Sequence, residues 1–184
     1  MKAVFVVDDS KIAKILIDPM RRAILELLRE KPMTQTELAN ELGLTAAALN
    51  YHINMLKSKK LVNIVKRKVG EHGIVQIYFS SCAYLFVYDL KSLPQDISRY
   101  FYPIALERMR AVLSVLMMYK SYDSSNSQTL TILADIFSDY IVAASLPFIN
   151  KDVPFAKESI IFDIYVKAVK NLIRSQLSKT NKTN

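Results

Sequence analysis

Asn50, Tyr51 and Asn54 are the residues whose types and spacing invite a chemical reading. At helical spacing they share one face with Ala46 and Ala47, and that face carries no acidic residue. Amide and phenol groups exchange hydrogen bonds, while small apolar side chains allow close approach. The combination suits base edges and thymine methyls in a major groove. Just beyond, Lys57, Lys59, Lys60, Lys66, Arg67 and Lys68 fill six of the twelve positions from 57 to 68, again with no Asp or Glu. Cations in such a run meet phosphates rather than base edges. Bond-making chemistry has little to stand on. The chain has no glycine-rich phosphate loop, no His-Glu metal motif, and no Ser/His/Asp or Cys/His set at workable spacing.

The elements that must position these residues are legible from their ends. Thr34 followed by Glu37 is a capping box that starts a short helix, with Leu38, Ala39 and Leu42 on its inner face. Gly43 follows the last periodic residue, where a helix turns left-handed most cheaply on glycine. Thr45 is the N-cap of the next helix, 45–58, whose inward stripe is Leu49, Ile53 and Leu56. Thr45 also stands where it meets the phosphate backbone if the helix lies in a groove. Two short helices joined at a glycine are the helix-turn-helix pattern. His52 sits between the inward stripe and the exposed face. Local packing and hydrogen bonding is one reading of it, and a phosphate or base contact is the other.

Leu61–Val69 and Ile74–Phe79 are rich in β-branched and aromatic residues and are bounded by glycines. They predict a hairpin with a four-residue tip, with Val75, Ile77 and Phe79 alternating onto one half-buried face. A basic hairpin directly after a recognition helix is a wing. It spans 62–79 and carries Lys66, Arg67 and Lys68, with His72 at its tip for a minor-groove or backbone contact.

With those residues in view, the chain resembles the ArsR-like winged helix-turn-helix regulators. Asp18-Pro19-Met20-Arg21-Arg22-Ala23-Ile24-Leu25-Glu26-Leu27-Leu28 is similar to that family's opening helix. Leu49-x-x-His52-Ile53-x-x-Leu56, with Leu61-Val62 beyond, resembles its recognition helix and the strand that follows. The resemblance covers about residues 10 to 80 and implies a DNA-binding regulator of this fold; a two-fold dimer of it reads two half-sites in successive major grooves, about 34 Å apart. Many members sense metals through cysteines on the first helix of the motif, and Thr34–Leu42 contains none. With one cysteine, two histidines and no close ligand spacing, neither a metal nor another cofactor is expected.

Bulk properties agree. The chain has 184 residues, half of them hydrophobic, and a net charge of +8, which favours an anionic partner. The single cysteine, Cys82, allows no intramolecular disulfide and points to a reducing compartment. No run of 18 or more apolar residues appears, and the apolar part of the N-terminus is too short for a secretory signal. The expectation is a cytoplasmic protein without a membrane partner.

Elsewhere, Ala3–Val7 predicts a short strand, with Tyr84–Tyr88 as its partner in the same chain or across subunits. Asp8 and Asp9 read as a turn before the helix Ser10–Ile17 rather than as a metal or phosphoacceptor pocket. Asp18 caps a second helix with Pro19 at its first position, and Ile24, Leu25, Leu27 and Leu28 face inward. Arg21 and Arg22 in its first turn either touch phosphate or are solvated. After Pro94 the pattern is helical. Pro103 begins a long helix to about Tyr119, Leu130–Leu146 is a second, and Phe155 to about Leu177 is a third. The third is apolar on more than one side, as expected of a subunit contact.

The expected fold is mainly α (α+β). Residues 1–92 form a winged helix-turn-helix domain with a two- or three-stranded wing sheet, and 93–184 form a bundle of three long helices. The expected function is sequence-specific binding of double-stranded DNA by a homodimer joined through 94–177. An interaction module with only non-specific DNA binding is the alternative. The helical half leaves room for a hydrophobic or small-molecule effector, although no residue points to one directly.

Overall fold

The structure, a computed structural model, describes residues 1–69, 73, 75–118 and 127–180. In chain order the elements are β1 (Lys2–Val7), α1 (Ser10–Leu16), α2 (Pro19–Glu30), β2 (Met33–Thr34), α3 (Gln35–Leu42), α4 (Ala46–Ser58), β3 (Val62–Val69), β4 (Val75–Ser81), β5 (Ala83–Tyr88), α5 (Gln95–Ser98), α6 (Tyr102–Met118), α7 (Ser127–Ser145) and α8 (Ser159–Thr180). A winged helix-turn-helix is thus followed by three long helices. Contacts divide the chain into two compact units. One comprises Met1–Phe5, Lys11–Phe86 and Phe148–Lys157, the other Val6–Ser10, Val87–Pro147 and Glu158–Asn184.

In the first unit the helix starts follow local chemistry. Asp18 accepts from the Met20 N–H at 2.8 Å, and Pro19 takes the first helical position of α2. The fully buried Leu49, Ile53 and Leu56 pin α4 against Ile24 and Leu28 of α2 and Leu38 of α3 in one apolar core. Each such side chain contributes roughly 1.5–3 kcal/mol by leaving water.

The wing sheet is three-stranded, in the order β2-β4-β3, all antiparallel. Its third strand is only Met33–Thr34, too short to carry a periodic signal. A register shift between Ile64 and Lys66 marks a bulge at Val65. The expected alternation along β4 does not hold. Val75 is exposed, Ile77 half-buried and Phe79 buried, while the neighbours Ser80 and Ser81 are buried as well. Burial here follows distance from the body, because the outer hairpin stands free of the core on both faces. The expected tip, Gly70-Glu71-His72-Gly73, lies outside the described residues except for Gly73.

Strands β1 and β5 pair within the chain. Lys2 N–H donates to Cys82 O at 2.9 Å and Asp89 N–H to Val7 O at 3.1 Å, so the two run in the same direction. The other edge of β1 is also covered. Ala3 N–H donates to Lys151 O at 2.8 Å and Val153 N–H to Met1 O at 2.9 Å. This edge pairing explains why the last helix begins at Ser159 instead of Phe155: the chain before it is extended along β1, and Ala156 takes a left-handed φ of 54°.

Arg21 and Arg22 follow neither of their two expected readings. Arg22 Nη1 donates to Leu16 O and Ile17 O, both at 2.7 Å, and the buried Arg21 donates from Nη1 to Ile15 O at 3.0 Å. Both satisfy the orphan carbonyls at the end of α1.

In the second unit, α6 buries Ala105, Met109 and Leu113, and α8 buries Ile160, Ile164, Ala168 and Leu172, each row at four-residue spacing. Between those rows α7 inserts Leu133, Ala134, Phe137, Ile141 and Ala144. Met117, Val166 and Ile173 are exposed. The segment Gln128–Phe148 is long and apolar enough to cross a membrane by length and composition alone, with a mean hydropathy of 1.4. A third of it is buried, along one side, and the opposite side carries Asp135 and Asp139, the latter ion-paired with Lys91.

Candidate nucleic-acid interface

Three local devices hold α3 and α4 in place. Thr34 Oγ1 accepts from the Glu37 N–H at 3.2 Å, and Glu37 Oε2 accepts from the Thr34 N–H at 2.7 Å. Gly43 closes α3 at φ 63°. Thr45 Oγ1 then accepts from the Ala48 N–H at 3.2 Å, which starts α4. At the far end Leu61 N–H returns to Leu56 O at 3.0 Å and Lys60 N–H to Lys57 O at 2.9 Å. Lys60 takes the left-handed position itself, φ 56°, so no glycine announces this helix end.

The backbone and side-chain bonds from Thr34 hold the Glu37 carboxyl below the usual carboxylate range. A group whose folded value is depressed stabilises fully above its unfolded value, and the effect is lost as pH falls through the folded value. Glu37 is exposed, so solvent screens much of this, and Glu37→Ala lowers stability at neutral pH by roughly 0.3–0.5 kcal/mol. In urea unfolding the gap to the unaltered protein closes in acid, and an undiminished gap there would show that Glu37 acts by packing alone.

Ala46, Ala47, Asn50, Tyr51 and Asn54 are all exposed on one face of α4, with Tyr51 at 57% of full exposure. Gln35 Nε2 donates to Asn50 Oδ1 at 3.3 Å and Asn54 Nδ2 to the same oxygen at 3.4 Å. The N-terminus of α3 thereby joins the face, a contribution that sequence reasoning missed. Gln35 lies outside the α4 periodicity, and only the packing of the two helices brings it near.

Between α4 and the wing runs a groove of about 480 Å³, lined by Thr34, Gln35, Thr36, Glu37, Asn50, Asn54 and Lys57 on one side and by Ile64, Val75, Gln76, Ile77, Tyr78 and Phe79 on the other. Lys66 and Lys68 pair across the hairpin with Tyr78 and Gln76 and share their face, whereas Arg67 pairs with Ile77 on the opposite face. Lys66 Nζ stands 5.7 Å from the Tyr78 ring centroid. Lys57, Lys60, Lys66, Arg67 and Lys68 are exposed and Lys59 is half-buried. His72 lies outside the described residues. His52 is turned inward, its Nδ1 3.5 Å from Asp18 Oδ2 and its ring edge-on to Tyr51. Burial pushes the Cys82 thiol up to about 12, so it stays protonated and unreactive at neutral pH.

An exposed, acid-free helix face beside a cationic hairpin defines a winged helix-turn-helix. Residues 16–65 match the helix-turn-helix domain family. Over 54 residues the chain is 30% identical to the transcriptional repressor SdpR of Bacillus subtilis (strain 168). That stretch is 29% of this chain, which spans about 60% of the length of that curated relative.

Proposed function

We propose that this protein is a cytoplasmic, homodimeric transcription regulator that binds double-stranded DNA sequence-specifically. The segment 45–58 lies in the major groove and the wing 62–79 follows the backbone and adjacent minor groove. The observation that carries this reading is the grouping of Asn50, Tyr51 and Asn54 on one open face that borders the cationic hairpin. The match of 16–65 to helix-turn-helix domains and the likeness to a transcriptional repressor support it.

Base discrimination falls to Ala46, Ala47, Asn50, Tyr51 and Asn54. Phosphate contact falls to Thr45, Lys57, Lys59, Lys60, Lys66, Arg67 and Lys68, and to His72, which lies outside the described residues. Residues 1–92 act as the DNA-binding domain and 93–184 as the dimerisation domain. The dimer is supported by Phe162, Val166, Val169 and Ile173, which follow the 4-3-4 spacing of a coiled-coil seam along α8. Phe162, Val166 and Ile173 are 62%, 51% and 36% exposed, more apolar surface than a solitary helix face keeps in water.

Asn50→Ala tests the assignment. It loses roughly 1–3 kcal/mol on the preferred duplex and almost nothing on a scrambled one, in competition binding at fixed salt. Equal losses on both duplexes would move Asn50 from base reading to general affinity.

A further inference from the structure

We propose that Arg21 is a positioning residue for Tyr51, holding that ring in one orientation on the recognition helix so that it discriminates bases, although Arg21 itself touches no DNA. The proposal rests on α4 being the recognition helix.

Arg21 lies in the first turn of α2, on a different element from Tyr51, and only 9% of its surface is accessible. Its Nη1 donates to Ile15 O at 3.0 Å, and its Nε is 3.5 Å from Asp18 Oδ2. Those two anchors fix the plane of the guanidinium. Its Cζ then stands 5.8 Å from the centroid of the Tyr51 ring. His52 closes the circuit, with Nδ1 3.5 Å from the same Asp18 oxygen and its ring 5.5 Å from Tyr51, edge to face. Among the described residues neither Arg21 Nε nor His52 Nδ1 has a hydrogen-bond partner, so the Arg21–Asp18 ion pair and the ring contacts hold the circuit together.

Capping α1 does not account for this arrangement. Arg22 already supplies two bonds to the carbonyls of Leu16 and Ile17, and Arg21 needs only Nη1 for its own bond to Ile15. Tyr51 is mostly in solvent, where an unrestrained aromatic ring exchanges freely among rotamers. A buried cation on one side and an imidazole on another select one of them before DNA arrives. Binding then loses less side-chain freedom, and the hydroxyl is presented at a fixed place. Cation–π attraction at a partly exposed site corresponds to about a two- to fivefold effect.

The experiment uses the full chain and two duplexes, one enriched by the unaltered protein from random sequence and one a scramble of it. The ratio of their dissociation constants is measured for the unaltered protein, Arg21→Met, Tyr51→Leu and the double variant. Tyr51 χ1 averaging in the DNA-free protein is read from NMR couplings. Arg21→Met is expected to lower the ratio about two- to fivefold, leave scrambled-duplex binding unchanged and increase χ1 averaging. In the Tyr51→Leu background it should have no further effect on the ratio. Arg21→Lys keeps the cation and one donor and should recover part of the ratio, and it carries the test if Arg21→Met does not fold. Equal weakening on both duplexes, effects that multiply in the double variant, or unchanged χ1 averaging would each overturn the positioning role. A ratio of one for the unaltered protein would instead overturn the DNA-recognition reading on which the proposal rests.

Discussion

Replacing Lys66, Arg67 and Lys68 together by alanine flattens the salt dependence of DNA binding, lowering the log–log slope by roughly 2–3. The basis is counterion release. Each phosphate neutralised by a cation contributes about 0.9 to that slope on duplex DNA. All three side chains are exposed on the hairpin and make no ion pair among the described residues, so their charge is free to meet phosphate. The fold hardly depends on them. Surface substitutions of this kind shift stability by about 0.5 kcal/mol or less, to which the Lys66–Tyr78 contact adds a similar amount. Base preference stays as it was, because the face of α4 is untouched. Titrations across a range of salt concentrations give the slope, and an unchanged slope would remove the hairpin from the interface.

The parts of this arrangement that were legible in the sequence are those written in local chemistry. Asp18, Thr34 and Thr45 cap three helices from within their own first turns, and Gly43 ends one of them. The stripe of Leu49, Ile53 and Leu56 fixes which side of α4 faces inward, and hence that Asn50 and Asn54 face out. What escaped depends on contacts between different elements. The roles of Arg21 and Arg22 appear only when the end of α1 folds back over α2. Gln35 reaches Asn50 across fifteen positions. The delayed start of α8 comes from an edge pairing of Asp152 with Lys2, which no periodicity in the segment announces. The wing alternation failed for a related reason: period two marks burial only where a strand has a core on one side, and the outer half of β4 has none.

The second large effect is expected on α8. If the proposed dimer forms through this face, Phe162→Glu combined with Val166→Glu yields a monomer and weakens binding to a two-half-site duplex on the order of 10²–10⁴-fold. Both side chains point away from the row Ile160, Ile164, Ala168 and Leu172, which holds α8 in its own bundle, so the monomer still folds. A dimer reads two half-sites about 34 Å apart, and the second half-site is engaged at the high effective concentration set by the first. Losing the dimer removes that gain and leaves the affinity of one winged helix. Sedimentation gives the oligomeric state, and duplexes carrying one or two half-sites give the binding loss. A variant that remains dimeric, or one that loses equally on both duplexes, would place the subunit contact elsewhere.

Selection of bound sequences from random duplex DNA by the full-length chain is the most direct measurement of all. The expected result is a palindromic motif whose half-sites are centred about one helical turn apart, weakened at specific positions by Asn50→Ala and Asn54→Ala. Recovery of no motif, with binding that depends on salt alone, would contradict the assignment of the α4 face to base recognition.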